Sequence, residues 1–252
     1  MNNTFNTPAC QGAEQRRMRG DIKLLTPGLL GMLFGLIMVL ALALLVAGSR
    51  MLLAGIASYQ TDAFLENWSA KAEEPSERAW QIAHEAARRA IDLYPTANGV
   101  YLERLGLIQQ WKEFRRPYGA PQAMGSRQAA AQAFREAIAV RPNWPDNWTA
   151  LAHAKLYLSE FDTEFHHVLA QAHVLAPWRI GVNRRLAEIG FITWPRLDVM
   201  ERESILESAR RTVAYSPVES KKLFAIATNT GMTDALCNSL PKALKTIRKI
   251  CL

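Results

Sequence analysis

The chain has 252 residues, 49% of them hydrophobic and 21% charged, with a formal net charge of +7. That mixture excludes a disordered or collagen-like chain, and no low-complexity tract interrupts it. The mild basic excess favours anionic partners such as lipid headgroups or an acidic polysaccharide, while the lack of any nucleic-acid-binding motif excludes nucleic acid as an expected partner.

Residues 28–48 read GLLGMLFGLIMVLALALLVAG, twenty-one residues without a charge. As a helix this run spans roughly 30 Å, the thickness of the hydrocarbon core of a bilayer. Arg16, Arg17, Arg19 and Lys23 precede it, partly offset by Glu14 and Asp21, whereas only Arg50 follows closely. The positive-inside rule then predicts a cytoplasmic tail over residues 1–26, a transmembrane helix over 27–53 and a translocated remainder. For a bacterium this means a single-pass inner-membrane protein with a periplasmic C-terminal domain. A cleaved signal peptide, cut near Gly55-Ile56-Ala57-Ser58, is the alternative, but the apolar run exceeds the usual h-region.

Residues 54–75 form an expected connecting helix and linker. From Met51 to Ala70 the residues Leu52, Leu53, Ile56, Tyr59, Phe64, Leu65 and Trp68 fall near one helical face and are expected to dock on the first helices of the C-terminal domain. Glu73-Glu74-Pro75-Ser76-Glu77 reads as a linker and a new helix start, with Pro75 in the first turn.

Residues 76–252 read as helices with a recurring ending. Ala83-x3-Ala87-x2-Ala90-x4-Pro95 is followed by Ala130-x3-Phe134-x2-Ala137-x4-Pro142 and by Phe165-x3-Leu169-x2-Ala172-x4-Pro177; a weaker copy ends Ala209-x7-Pro217. Small residues let helices approach closely, a larger apolar residue fills the groove between them, and proline stops the helix. Upstream of these endings stand Leu102-x2-Leu105-Gly106 and Trp148-x2-Leu151-Ala152, with Lys155 three residues after Ala152.

These offsets resemble the tetratricopeptide repeat, whose first helix carries Trp-x2-Leu-Gly-x2-Tyr and whose second carries the Ala, Phe, Ala and Pro positions. Lys155 stands where the repeat has tyrosine. The resemblance covers about residues 76–218 and implies an all-α fold: one transmembrane helix, then an α-solenoid of antiparallel helix pairs. With the membrane span, the layout is similar to the small membrane-anchored repeat proteins that accompany bacterial exopolysaccharide biosynthesis and export, the Vps-type accessory proteins. That implies a non-catalytic scaffold positioning polymer or assembling membrane components. A periplasmic protein-assembly adaptor that binds peptide segments, in cytochrome maturation, pilus assembly or division, is the alternative.

The segment from Arg115 to Ser126 interrupts one unit with two prolines and two glycines, and is expected to be a loop between two helices. Arg115, Arg116 and Tyr118 on this loop, with Trp144 and Trp148, are the candidate binding residues, since indole rings stack on sugar faces. The other reading of the tryptophans, Trp68, Trp80, Trp111, Trp178 and Trp194 included, is packing between layers. His153, His166, His167 and His173 show no recognised metal-ligand spacing. No Gly-x-Ser-x-Gly, phosphate-binding loop or framed carboxylate pair occurs, so neither enzymatic activity nor a cofactor or metal is expected. Cys237 and Cys251 either bridge in an oxidising compartment or remain two thiols, and Cys10 falls on the tail. From Pro241 onward, Leu244, Ile247 and Cys251 form one stripe among basic residues: a helix that covers the last repeat or lies on anionic headgroups. The expected partners are therefore the lipid bilayer, membrane components of a polysaccharide or assembly complex, and an anionic glycan.

Overall fold

A computed structural model describes residues 27–251, and the expected cytoplasmic tail, including Cys10 and its basic cluster, lies outside them. Every regular element among the described residues is helical. The chain divides into two compact units at Gly48 and Ser49. Helix α1 (Pro27–Lys71) runs from the first into the second. It is the one helix among the described residues long and apolar enough to cross a membrane, consistent with single-pass anchoring. Its large side chains up to Val46 are all exposed, as a lipid-facing helix requires.

In the Ser49–Leu252 unit the outer part of α1 buries the later part of the expected face, at Leu65 and Trp68, and a different face before it. Ala54, Ala57, Ser58, Thr61, Leu65 and Trp68 are buried, while Leu52, Leu53, Ile56 and Tyr59 are exposed. Small side chains win the inner face because they allow close helix approach. Arg104 ties that face down by bonding Ser58 and Asp62.

Helices α2 (Glu77–Leu93) and α3 (Gly99–Trp111) come next, capped by Ser76 and Asn98. Pro75 stands before the Ser76 cap rather than inside the first turn. The segment expected to be a loop through Ser126 turns helical sooner. Pro121–Ala123 forms a 3-10 turn that leads straight into α4 (Met124–Val140). Proline suits that start because its missing N–H lies where no helical partner exists.

Helices α5 (Pro145–Leu158), α6 (Thr163–Leu175), α7 (Ile180–Ile192), α8 (Val199–Tyr215) and α9 (Pro217–Asn229) continue the array. Asp198 and Glu201 form a capping box at α8, and Asp162 and Ser216 cap α6 and α9. Short helices α10 (Thr233–Ser239) and α11 (Lys242–Arg248) close the chain.

Neighbouring helices pack antiparallel. The start of α3 meets the end of α4, with a Cβ at Gly99 lying 3.3 Å from Ala137 O, and a Cβ at Gly106 would meet the Phe134 ring at 2.5 Å. Alternate helices run parallel and in register. His166–Glu201 and His173–Ser208 join α6 to α8 at separations of 35 residues, and Arg184–Glu219 joins α7 to α9 at 35.

The recurring-ending residues form the core: Ala83, Ala87, Ala90, Ala130, Phe134, Ala137, Phe165, Leu169, Ala172 and Ala209 are all buried. So are the pairs Leu151-Ala152 and Leu186-Ala187 on the preceding helices. Leu236, Leu240 and Ile250 extend this core into the C-terminal segment, and a disulfide links Cys237 to Cys251 with Cα atoms 5.5 Å apart. Ile247 departs from the expected stripe: it is 68% exposed while Leu244 packs inward.

Candidate binding groove

The first helices of successive pairs, α3, α5 and α7, line a shared concave surface. Each turns its apolar face to the core (Leu102 and Ile108, Leu151 and Leu156, Leu186 and Ile189), which leaves a polar face one turn away. On those faces Glu103, Leu107 and Gln110 of α3, Asp146, Thr149 and His153 of α5, and Gly181, Arg184 and Arg185 of α7 enclose a cavity of about 270 Å³. A second lobe of about 200 Å³ continues past the shared Leu107, Gln110, His153 and Arg185 to Trp111, Phe114, Arg127 and Tyr157.

The floor is held by contacts between parallel helices. Arg179 Nε lies 2.7 Å from Asp146 Oδ2, and Arg185 Nη1 lies 2.9 Å from His153 Nε2. Burial, and then the Arg185 charge, hold the His153 imidazole well below its usual pKa. Neutral His153 thus accepts from Arg185 through Nε2. Burial, reinforced by Asp146, pushes the Glu103 carboxyl up to about 7. The side-chain nitrogen of Gln110 is buried without a hydrogen-bond partner. Buried donors of this kind are normally satisfied, so an unsatisfied one facing a cavity is a position for a ligand acceptor. Glu103 and Asp146 thus share the first lobe with Arg184 and Arg185, and Arg127 lines the second. Among the described residues no three His, Cys, Asp or Glu side chains converge as a metal site.

The five residues singled out from the sequence occupy two opposite ends of α5. Tyr118 packs edge-on against Tyr157 near the end of α5, with ring centroids 4.9 Å apart. Arg115 donates its backbone N–H to Glu74 at 3.2 Å, and Arg116 pairs with Glu113 at 3.0 Å. Trp144 caps the start of α5, where Arg141 and Arg179 lie over its ring at 4.2 and 4.4 Å. Trp148 donates its indole N–H to Pro142 O at 2.7 Å and meets His167 edge-on. The two groups stand about 20 Å apart along α5, so the fold does not join them in one site. Trp178 is 90% exposed, against expectation for a packing residue.

The loop is fastened by a residue with no sequence signal of its own. Arg127 is 3% exposed and donates to the carbonyls of Pro117, Tyr157 and Arg116 at 2.8, 2.9 and 2.7 Å. Gly119, at φ +70, takes the left-handed turn that completes the attachment, its N–H reaching Tyr157 O at 2.9 Å. The groove residues themselves carry a faint signal, recurring at i, i+3 or i+4, and i+7 opposite the core faces of α3 and α5. Compared with known proteins, the chain matches no protein-family profile, and no curated protein matches it.

Proposed function

We propose that this chain is a non-catalytic, membrane-anchored scaffold of tetratricopeptide-like helix pairs whose groove holds an extended peptide segment of a partner in a bacterial inner-membrane assembly. The observation that carries this reading is the continuous groove over α3, α5 and α7 with Gln110 unsatisfied in its wall. Inter-helix contacts at separations of 35 and 32 residues support the repeat assignment, since the tetratricopeptide period is about 34. An extended peptide presents a backbone donor or acceptor about every 3.3 Å, which suits a groove lined with polar side chains. Acidic side chains fit Arg185, which lines both lobes. Glu103, protonated below about 7, adds a donor in the first lobe.

A glycan is the second reading, favoured by Trp111, Phe114 and Tyr157 in the second lobe. It fits the exopolysaccharide setting implied by the overall layout. Trp144 and Trp148, the stacking candidates in the sequence, already spend their rings on Arg141, Arg179 and His167. The basic residues ahead of the span support a periplasmic placement of the domain.

Full-length protein in lipid nanodiscs, applied in parallel to peptide and glycan arrays, tests the choice. Retention on peptides with acidic residues, lost in Arg185→Glu, is the expected result. Retention on acidic glycans alone would support the second reading, and retention on neither would remove both.

A further inference from the structure

One edge of the Ser49–Leu252 unit gathers the ends of α2, α4, α6 and α8 with the starts of α3, α5, α7 and α9. Gly99 at the start of α3 lies against Arg141 and Ala137 at the end of α4. Asp146 in the first turn of α5 reaches Arg179, the N-cap of α7, at 2.7 Å. Arg184, near the start of α7, reaches Glu219 in the first turn of α9 at 2.5 Å.

This edge exposes large apolar side chains at its turns. Trp178 is 90% exposed, Val174 70%, Tyr215 64% and Val218 62%. An indole left that bare has no packing role in the fold, and tryptophan and tyrosine favour the level of lipid headgroups. Cations stand among them. Arg141 and Arg179 flank Trp144, and Arg248 donates to Val213 O at 2.9 Å and Ala214 O at 2.5 Å, at the end of α8. That bond brings the exposed Ile247 and Lys249 of the basic C-terminal segment to the same edge.

The chain also enters the unit at this edge. Arg50, two residues past the apolar run, donates to Asp92 O at the end of α2 at 3.1 Å. Ser49, the first residue of the unit, follows directly on Gly48, the last residue of the apolar run. Apolar exposure continues past Arg50 through Leu53, Ile56 and Tyr59.

We propose that this edge rests in the headgroup layer of an anionic bilayer, with Trp178 and Tyr215 at the interface and Arg141, Arg179, Arg248 and Lys249 against lipid phosphates. The aromatic residues supply interfacial anchoring and the cations an electrostatic attraction that falls with salt. The proposal is independent of what the groove binds.

The test uses a favourable accident of composition: the first tryptophan is Trp68, so the span contains none. The full chain is reconstituted in vesicles of phosphatidylglycerol and phosphatidylcholine whose acyl chains are brominated, a short-range quencher of indole. The expected result is a loss of tryptophan emission relative to unbrominated vesicles that disappears in Trp178→Phe. The loss should be smaller in phosphatidylcholine alone. Unchanged circular dichroism of the variant checks its fold. No quenching in the wild-type chain, or quenching that survives Trp178→Phe, overturns the proposal. Equal quenching with and without phosphatidylglycerol overturns the anionic-headgroup assignment. An emission blue shift that grows with protein density, without quenching, assigns the edge to a second copy and overturns it equally.

Discussion

The ammonium group of Lys155, 1% exposed, lies 2.8 Å from the carboxylate of Glu164, which Arg135 grips from the other side through two bonds of 2.7 Å. Asp162 and Glu160 reach the same ammonium at 2.9 and 3.3 Å. Lys155 is thus a buried counter-ion that closes the α5–α6 turn. Burial pulls its pKa down, but the three carboxylates outweigh it and leave Lys155 raised.

Acid should loosen this turn first. The Arg135 bonds, then Lys155, overcome the opposing pull of burial and hold Glu164 at about 2, against an ordinary 4.5. The folded state therefore holds this proton less tightly than the unfolded chain. Its stabilisation is full above about 4.5 and is lost as pH falls towards about 2. Because Glu164 is partly solvated, the contribution is about 1–2 kcal/mol. Urea midpoints of Glu164→Gln and wild-type protein should differ at pH 6 and converge at pH 2.5.

Glu103 predicts the opposite slope. Its pKa of about 7 means that the folded state binds the proton more tightly, so stability falls as pH rises from 4.5 to 7. Glu103→Gln should be more stable than wild type at pH 8, by about 1–3 kcal/mol, and no more stable at pH 4. Thermal melts at both pH values check this.

Close packing at Gly106 is a third test. A methyl group there would lie 2.5 Å from the Phe134 ring, so Gly106→Ala should destabilise by about 1–3 kcal/mol. Adding Phe134→Leu should return part of that loss, which a double-mutant cycle would register as coupling.

Reduction of the Cys237–Cys251 bridge should release the C-terminal segment. Its sequence separation is 14, so the lost chain constraint costs about 3 kcal/mol. Hydrogen exchange after reduction should rise over residues 233–251 and leave α3 to α7 unchanged.

The buried faces are legible from the sequence because small residues and proline stops recur at fixed offsets, as at Ala130, Phe134, Ala137 and Pro142. A third first-helix pair, Leu186-Ala187, is harder to see because Asn183 replaces the tryptophan ahead of it. The structure shows that this asparagine serves the fold, since Asn183 donates to Ala176 O and Arg179 O much as Trp148 donates to Pro142 O. Lys155 is visible in the sequence only as a misfit, because its three carboxylates lie beyond the helix turn. The inward face of residues 54–61 differs from the one that apolar periodicity predicts, because size alone does not say which side of a helix a neighbour will approach. The groove is only faintly legible. Glu103, Gln110, Asp146, His153 and Arg185 come from three helices, and each alone reads as a solvated face.

Partner binding across α3, α5 and α7 is read most directly by photo-crosslinking in the native membrane. A photo-reactive amino acid is placed in the full-length chain at Gln110, inside the groove, and separately at Gln132, exposed on α4. A groove that docks a partner should give a discrete protein adduct at position 110 that Arg185→Glu abolishes, and none at 132. Equal adducts at both positions, or an adduct at 132 alone, would contradict it.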